Sequence, residues 1–111
     1  MENFKIYKDD LLTIDQRKKK VIDINQIIML KGISNYTCFY LKNGTQRLTS
    51  HTLKYYENQL ESKGFLRVHR GFIVNQQCII KHDSSNSQLL LTDGYEVEIS
   101  RRKRRQLEGS F

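Results

Sequence analysis

Thr37-Cys38-Phe39-Tyr40-Leu41-Lys42-Asn43-Gly44-Thr45-Gln46-Arg47-Leu48-Thr49 decides the fold class. Two segments rich in β-branched and aromatic residues flank Asn-Gly, and that dipeptide between extended runs is the strongest short-range hairpin signal, because both residues tolerate positive φ. The same grammar extends outward. Upstream, Val21 to Ile24 and Ile27 to Lys31 read as short strands; downstream, Asp93-Gly94 joins Gln88–Thr92 to Tyr95–Ser100, and Cys78 to Lys81 supplies a further partner across the turn-forming Ser84-Ser85-Asn86-Ser87. Connections this short favour antiparallel pairing, since parallel strands need a crossover of a dozen or more residues. One segment departs: between Ser50 and Gly64, Leu53, Tyr56 and Leu60 recur at helical spacing with Glu57 and Glu61 on another face, which predicts a surface helix ended by Gly64.

Residues 1–20 read as a polar N-terminal arm ending in Arg17-Lys18-Lys19-Lys20, partly ordered at best, and residues 21–111 as a single domain. Hydrophobic residues make up 38% of the chain, enough to argue against wholesale disorder. The longest apolar run, Ile27-Ile28-Met29-Leu30, is far short of the roughly 20 residues of a membrane-spanning helix, so no membrane association is expected. Cys38 and Cys78 lie far apart and no secretory signal pattern opens the chain, which makes the cytoplasm the expected compartment.

The net charge is +7, and removing the five cations of Ser100-Arg101-Arg102-Lys103-Arg104-Arg105 leaves only +2 for the rest. Charge concentrated in this way favours nucleic acid or another polyanion. Ser100 is a natural N-cap, so the run opens a short C-terminal helix, where the macrodipole disfavours cations by a few tenths of a kcal/mol each and an anionic partner would compensate. The bland alternative is a solvated charged face.

Two loops add candidates. Gly32-Ile33-Ser34-Asn35-Tyr36 carries an amide suited to an adenine edge and hydroxyls suited to phosphate, or it is an ordinary Asx turn. In Arg67-Val68-His69-Arg70-Gly71, Arg70 beside a glycine is free to project, and arginine to guanine is the commonest specific base contact. His69 and Asn75 also admit purely structural, hydrogen-bonding roles. Catalysis finds little support: Cys38 sits in an alternating strand with no neighbouring base, phosphate-loop, dinucleotide and zinc-protease motifs are absent, and His51, His69 and His82 lack ligand spacing. The chain is therefore read as a non-enzyme with no cofactor, no metal and no small-molecule substrate.

Phe65-Leu66-Arg67-Val68-His69-Arg70-Gly71-Phe72-Ile73-Val74-Asn75 resembles the central signature of the LytTR family of bacterial DNA-binding domains. Ile27 to Tyr36 resembles that family's opening strand and loop, Leu53-Lys54 its helix start, and Asp93-Gly94 with Ile99-Ser100-Arg101-Arg102 its final hairpin and basic end, so the likeness runs from about Val21 to Leu107. The resemblance implies a mostly β fold: an elongated arrangement of small, mostly antiparallel sheets with one short helix, to which the reading above adds the short C-terminal helix. It implies that loops enter successive major grooves of double-stranded DNA, with Asn35, Arg70 and Arg102 reading bases and Ser34, Tyr36, Lys54, His69, Arg101, Lys103 and Arg104 on the backbone. It also implies a transcriptional regulator that occupies direct repeats as two copies. The family often has an acidic residue where Lys31 stands and a serine where Gly71 stands, and the residue matching Asn35 varies, which leaves the base preference there open. Most members carry a phosphorylated receiver domain before this module; about twenty polar residues stand there here, which implies a stand-alone module, expected to be a monomer in free solution.

The rival from another class is a single-stranded RNA-binding β module, whose mark would be aromatics grouped on one exposed strand face. Tyr40, Tyr55, Tyr56 and Tyr95 fall on different elements instead. A third alternative is a protein-interaction domain whose basic end adheres to anionic surfaces.

Overall fold

In the computed structural model, which describes residues 10 to 107, ten strands and two helices alternate with 3-10 turns. The strands are β1 (Leu11–Asp15), β2 (Lys20–Asp23), β3 (Ile27–Ile33), β4 (Tyr36–Leu41), β5 (Gln46–Thr49), β6 (Phe65–His69), β7 (Phe72–Asn75), β8 (Ile79–Asp83), β9 (Gln88–Leu91) and β10 (Glu96–Glu98). The helices are α1 (Leu53–Leu60) and α2 (Arg101–Gln106). They build a five-stranded sheet ordered β5-β4-β3-β7-β6, a three-stranded sheet ordered β10-β9-β8 and the hairpin β1-β2. All pairings are antiparallel.

The large sheet lies in the middle and is covered on both faces, which explains the unbroken run Ile27-Ile28-Met29-Leu30 at its central strand. Ile27, Leu30, Phe39 and Ile73 pack with Leu53, Tyr56 and Leu60 of α1 and with Leu12, Ile14 and Ile22 of the β1-β2 hairpin. Ile28, Met29, Val68 and Val74 pack on the opposite side with Leu89, Leu91, Val97 and Ile99 of the small sheet. The result is a flattened slab of 42 × 38 × 24 Å.

The turn chemistry behaves as predicted, with one refinement. Asp93 and Gly94 both take positive φ, 67° and 84°. In the Lys42-Asn43-Gly44 loop Gly44 alone does so, at 82°, while Leu41 N–H donates to Thr45 O at 3.0 Å and Asn43 Oδ1 accepts from Thr45 N–H at 2.9 Å. This is a three-residue connection in which glycine closes the loop. Thr52 caps α1 by accepting from Tyr55 N–H, and Gly64 ends the helical segment at φ 85°.

The expected polar arm over residues 1–20 includes a structured second half. Leu11–Asp15 forms β1, paired with β2 through Leu12↔Ile22 and Thr13↔Val21, and Leu12 and Ile14 are buried. Leu12 and Ile14 flank the polar Thr13 and share one face, a short strand signal masked by the charges on either side. Residues 1–9 lie outside the described residues. Two predicted loops are also shorter than their sequences suggested. β3 continues to Ile33 and β4 begins at Tyr36, leaving Ser34-Asn35 as the turn; β6 continues to His69, leaving Arg70-Gly71. Ladder pairing across each turn absorbs the flanking residues.

Candidate nucleic-acid interface

β6 holds the site together because it carries a bulge. Its register with β7 slips between Arg67↔Ile73 and His69↔Phe72, so Val68 is an extra residue. Val68 turns its side chain into the core and its carbonyl out of the ladder, where it accepts Ser100 N–H at 3.0 Å. That bond docks the start of α2 beside the Arg70-Gly71 turn. On the other side of the turn, Gly32 N–H donates to Gly71 O at 2.9 Å, tying it to the strand that leads into Ser34-Asn35. Backbone hydrogen bonds thus set all three candidate reading segments side by side.

The Arg70-Gly71 turn itself is pinned. Gly71 N–H donates to His69 Nδ1 at 3.0 Å, and Arg67 donates to Arg70 O at 2.6 Å. The Gly71 bond uses a lone pair on Nδ1. Nε2 lies 3.5 Å from Glu98 Oε1. His69 therefore plays the structural role that the sequence left open, whatever else it touches. Asn75 does too: buried, it donates to Ile27 O at 2.9 Å and accepts from Gln77 N–H at 3.0 Å. Arg70 stays exposed, with its backbone fixed.

An open cleft of about 760 Å³ runs between α1, β6 and α2, lined by Lys54, Glu57, Arg67, His69, Arg70, Ser100, Arg102, Lys103 and Gln106. A second, of about 480 Å³, shares Lys54, Arg67, His69 and Arg70 and continues to Gly71, Gly32, Ser34, Thr52 and Leu53. The two form one cationic surface that joins the loops of residues 32–36 and 67–71 to the basic run. Of the residues predicted for the site, Ser34, Lys54, His69, Arg70, Arg102 and Lys103 line it. Asn35 is exposed at the turn next to Ser34, and Tyr36 is 48% exposed at the start of β4. Arg101 is exposed on the first turn of α2 and lines neither cleft. Arg104 turns toward the serine loop, donating to Ser87 Oγ at 2.6 Å.

Ser100 caps α2 as predicted, its Oγ accepting Lys103 N–H at 3.1 Å. Ser34 holds a left-handed backbone, φ 55°, in a turn with no glycine, a conformation that costs an ordinary residue on the order of 1 kcal/mol. Sequence reasoning missed the roles of Glu57 and Arg67. They stand ten positions apart on a helix and a strand, and their 3.0 Å ion pair across the cleft leaves no periodic or motif signal. Among the described residues, no three His, Cys, Asp or Glu side chains gather where they could hold a metal ion, and no helix is long and apolar enough to cross a membrane. Burial pushes the Cys38 thiol above its ordinary pKa, which keeps it protonated and poorly nucleophilic.

Comparison with known proteins points the same way. Residues 17–111 match a family model described as the LytTr DNA-binding domain. A similar solved structure is the LytTr DNA-binding domain of a protein described as a methyl-accepting/DNA response regulator from Bacillus cereus. It is 19% identical, superposes with a TM-score of 0.74, and the match covers 90% of this chain and 94% of that one. Among curated proteins none matches significantly.

Proposed function

The chain belongs to the family of LytTr DNA-binding domains, the DNA-binding parts of transcription regulators, and from that premise we propose that it reads double-stranded DNA with loops set into successive major grooves. Asn35, Arg70 and Arg102 contact base edges in this reading. Ser34, Tyr36, Lys54, His69, Arg101, Lys103 and Arg104 bind the backbone, and two copies occupy a direct repeat within the cytoplasm. The observation that carries the proposal is the continuous cleft surface from Ser34 through Lys54 and Arg70 to Arg102 and Lys103, in which the one lining carboxylate, Glu57, is already paired with Arg67.

Each base reader supplies about 1–3 kcal/mol of discrimination, while the backbone cations supply affinity that falls as salt rises. The test is selection of bound sequences from a random duplex library at near-physiological salt, for the native protein and for Arg70→Ala and Arg102→Ala. A single enriched motif that each variant degrades at a different position supports base reading. Equal loss of specific and nonspecific binding in both variants refutes it. Lys103→Ala serves as the contrast, expected to weaken all sequences alike and to reduce the salt slope by about one.

A further inference from the structure

Arg67 carries a positive charge into the cleft but does not offer it to a ligand. One guanidinium nitrogen donates to Glu57 Oε1 at 3.0 Å and the other to the backbone oxygen of Arg70 at 2.6 Å. Its side chain is 19% exposed, whereas Arg70 lies exposed at the turn. A planar fork with its prongs on two different partners is a brace, a geometry that arginine supplies and lysine does not.

The brace acts at a specific place. Arg70 O, Gly71 N–H and Gly71 O are each bonded within the protein, to Arg67, His69 and Gly32, so the peptide that launches the Arg70 side chain has little room to rotate. Two of those bonds reach no further than β6 and β3. The Arg67 fork gives the turn a hydrogen-bonded link to α1, through Glu57. Glu57 would otherwise stand as an uncompensated anion where a phosphate backbone approaches, and a like charge at such a surface costs affinity. The pair cancels that charge while setting the turn.

We infer that Arg67 is a positioning residue for base recognition, anchored by Glu57, that fixes the direction in which Arg70 projects. The inference rests on the base-reading role of Arg70 proposed above. A misaimed contact loses its bidentate geometry, so the penalty falls on one base pair of the operator rather than on binding as a whole.

The test measures binding of the full chain to the duplex recovered by selection and to its single-base-pair variants, across a range of salt, with melting temperatures recorded in parallel. Arg70→Ala identifies the base pair that Arg70 reads. Arg67→Ala combined with Glu57→Ala, so that no unpaired carboxylate is left in the cleft, is expected to reduce discrimination at that same pair by roughly fivefold or more, leave other positions unchanged and keep the salt slope. The same two changes in the Arg70→Ala background are expected to change discrimination no further. Glu57→Ala is expected to move the profile in the same direction. Arg67→Lys, which keeps the charge and the aliphatic stem, secures the result should the alanine variant fold poorly: it is expected to lose the preference and retain the slope. A uniform loss at all positions with a slope lower by about one would make Arg67 a phosphate contact and overturn the inference. A lowered melting temperature with an unchanged base profile, or full preference in Arg67→Lys, would overturn it as well. Should Arg70→Ala leave every position untouched, base reading by Arg70 fails and the inference falls with it, an outcome distinct from failure of Arg67 alone.

Discussion

Gly32→Ala tests whether the fold and the binding surface share one packing constraint. A Cβ on Gly32 would lie 3.0 Å from Leu53 Cδ1 and 3.2 Å from Leu53 Cγ. Both are several tenths of an ångström inside the ~3.5 Å at which carbon atoms rest. Leu53 is 6% exposed, opens α1 and packs into the core beneath it, so it has no free direction in which to retreat. Overpacking of this kind costs about 1–3 kcal/mol, offset by the roughly 0.5–1 kcal/mol that alanine gains over glycine in a strand. The difference spans about 0–2.5 kcal/mol and, because Leu53 cannot retreat, the expected net loss is about 1 kcal/mol or more, a fall of at least roughly 4–8 °C in Tm for a domain of this size. Urea titration of Gly32→Ala, Leu53→Ala and the double variant measures it. Leu53→Ala alone should cost about 2–5 kcal/mol by opening a cavity. The new methyl group no longer clashes in that background and fills part of the space, so the double variant should be more stable than the sum of the single effects predicts by at least 1 kcal/mol. Strict additivity, or a Gly32→Ala chain as stable as the native one, would show that Leu53 does not press on β3 and would refute the argument.

Three further outcomes follow from particular contacts. Tyr56→Phe removes the bond from the buried phenol to Thr49 Oγ1, 2.8 Å long, in a chain that continues from Thr49 to Thr37 O; about 1 kcal/mol of stability should be lost by denaturant titration with no change in DNA preference. Ser100→Ala removes the cap of α2 but keeps the backbone bond to Val68, so about 1 kcal/mol should go and DNA affinity should fall at all sequences alike, read by melting and by binding to matched and scrambled duplexes. Hydrogen bonds from Asn86 and Ser85 hold the Asp83 carboxyl below its ordinary 3.8, so its contribution is present above that value and fades as pH falls through the lower folded-state pKa; melting curves of native and Asp83→Ala chains should differ at neutral pH and converge in acid.

The hairpins were legible because their turn residues state a backbone requirement. Asp93 and Gly94 both adopt the left-handed conformations that such a pair tolerates, and Gly44 closes its loop in the same way. Leu53, Tyr56 and Leu60 announced α1 by spacing, and all three are buried. The Ser34-Asn35 turn was not legible as a two-residue connection, since a serine at positive φ is what turn chemistry avoids; tertiary pairing of Ile33 with Tyr36 imposes it. Nor was β1, whose two buried residues sit among charges and are recognisable only beside β2. Within the site, the cationic residues could be found from charge and motif, but the ties between their segments could not. The Val68 bulge that frees a carbonyl for Ser100, and the Arg67 fork between Glu57 and Arg70, join parts of the chain remote in sequence through single bonds that no local pattern encodes.

This division of labour bears on how such a surface can change what it reads. The backbone bonds Gly32 to Gly71 and Ser100 to Val68 set the spacing of the three segments, and neither involves the side chain of Asn35, Arg70 or Arg102. Those three side chains are exposed, and none takes part in a core cluster. On the reading proposed above, replacing them changes hydrogen-bonding groups at the DNA while leaving the scaffold's packing and polar satisfaction as they are, and surface substitutions of that kind usually stay within about 0.5 kcal/mol. Gly32, Val68 and Arg67 have no such freedom, since each sets a position rather than a contact. On the reading proposed here, a library varied at positions 35, 70 and 102 should therefore yield many folded chains with altered operators, whereas one varied at 32, 67 and 68 should yield chains that lose stability or discrimination without acquiring a new preference. Recovery of new, sharply defined operators from the second library would mean that recognition is built from the scaffold and not from the three exposed side chains.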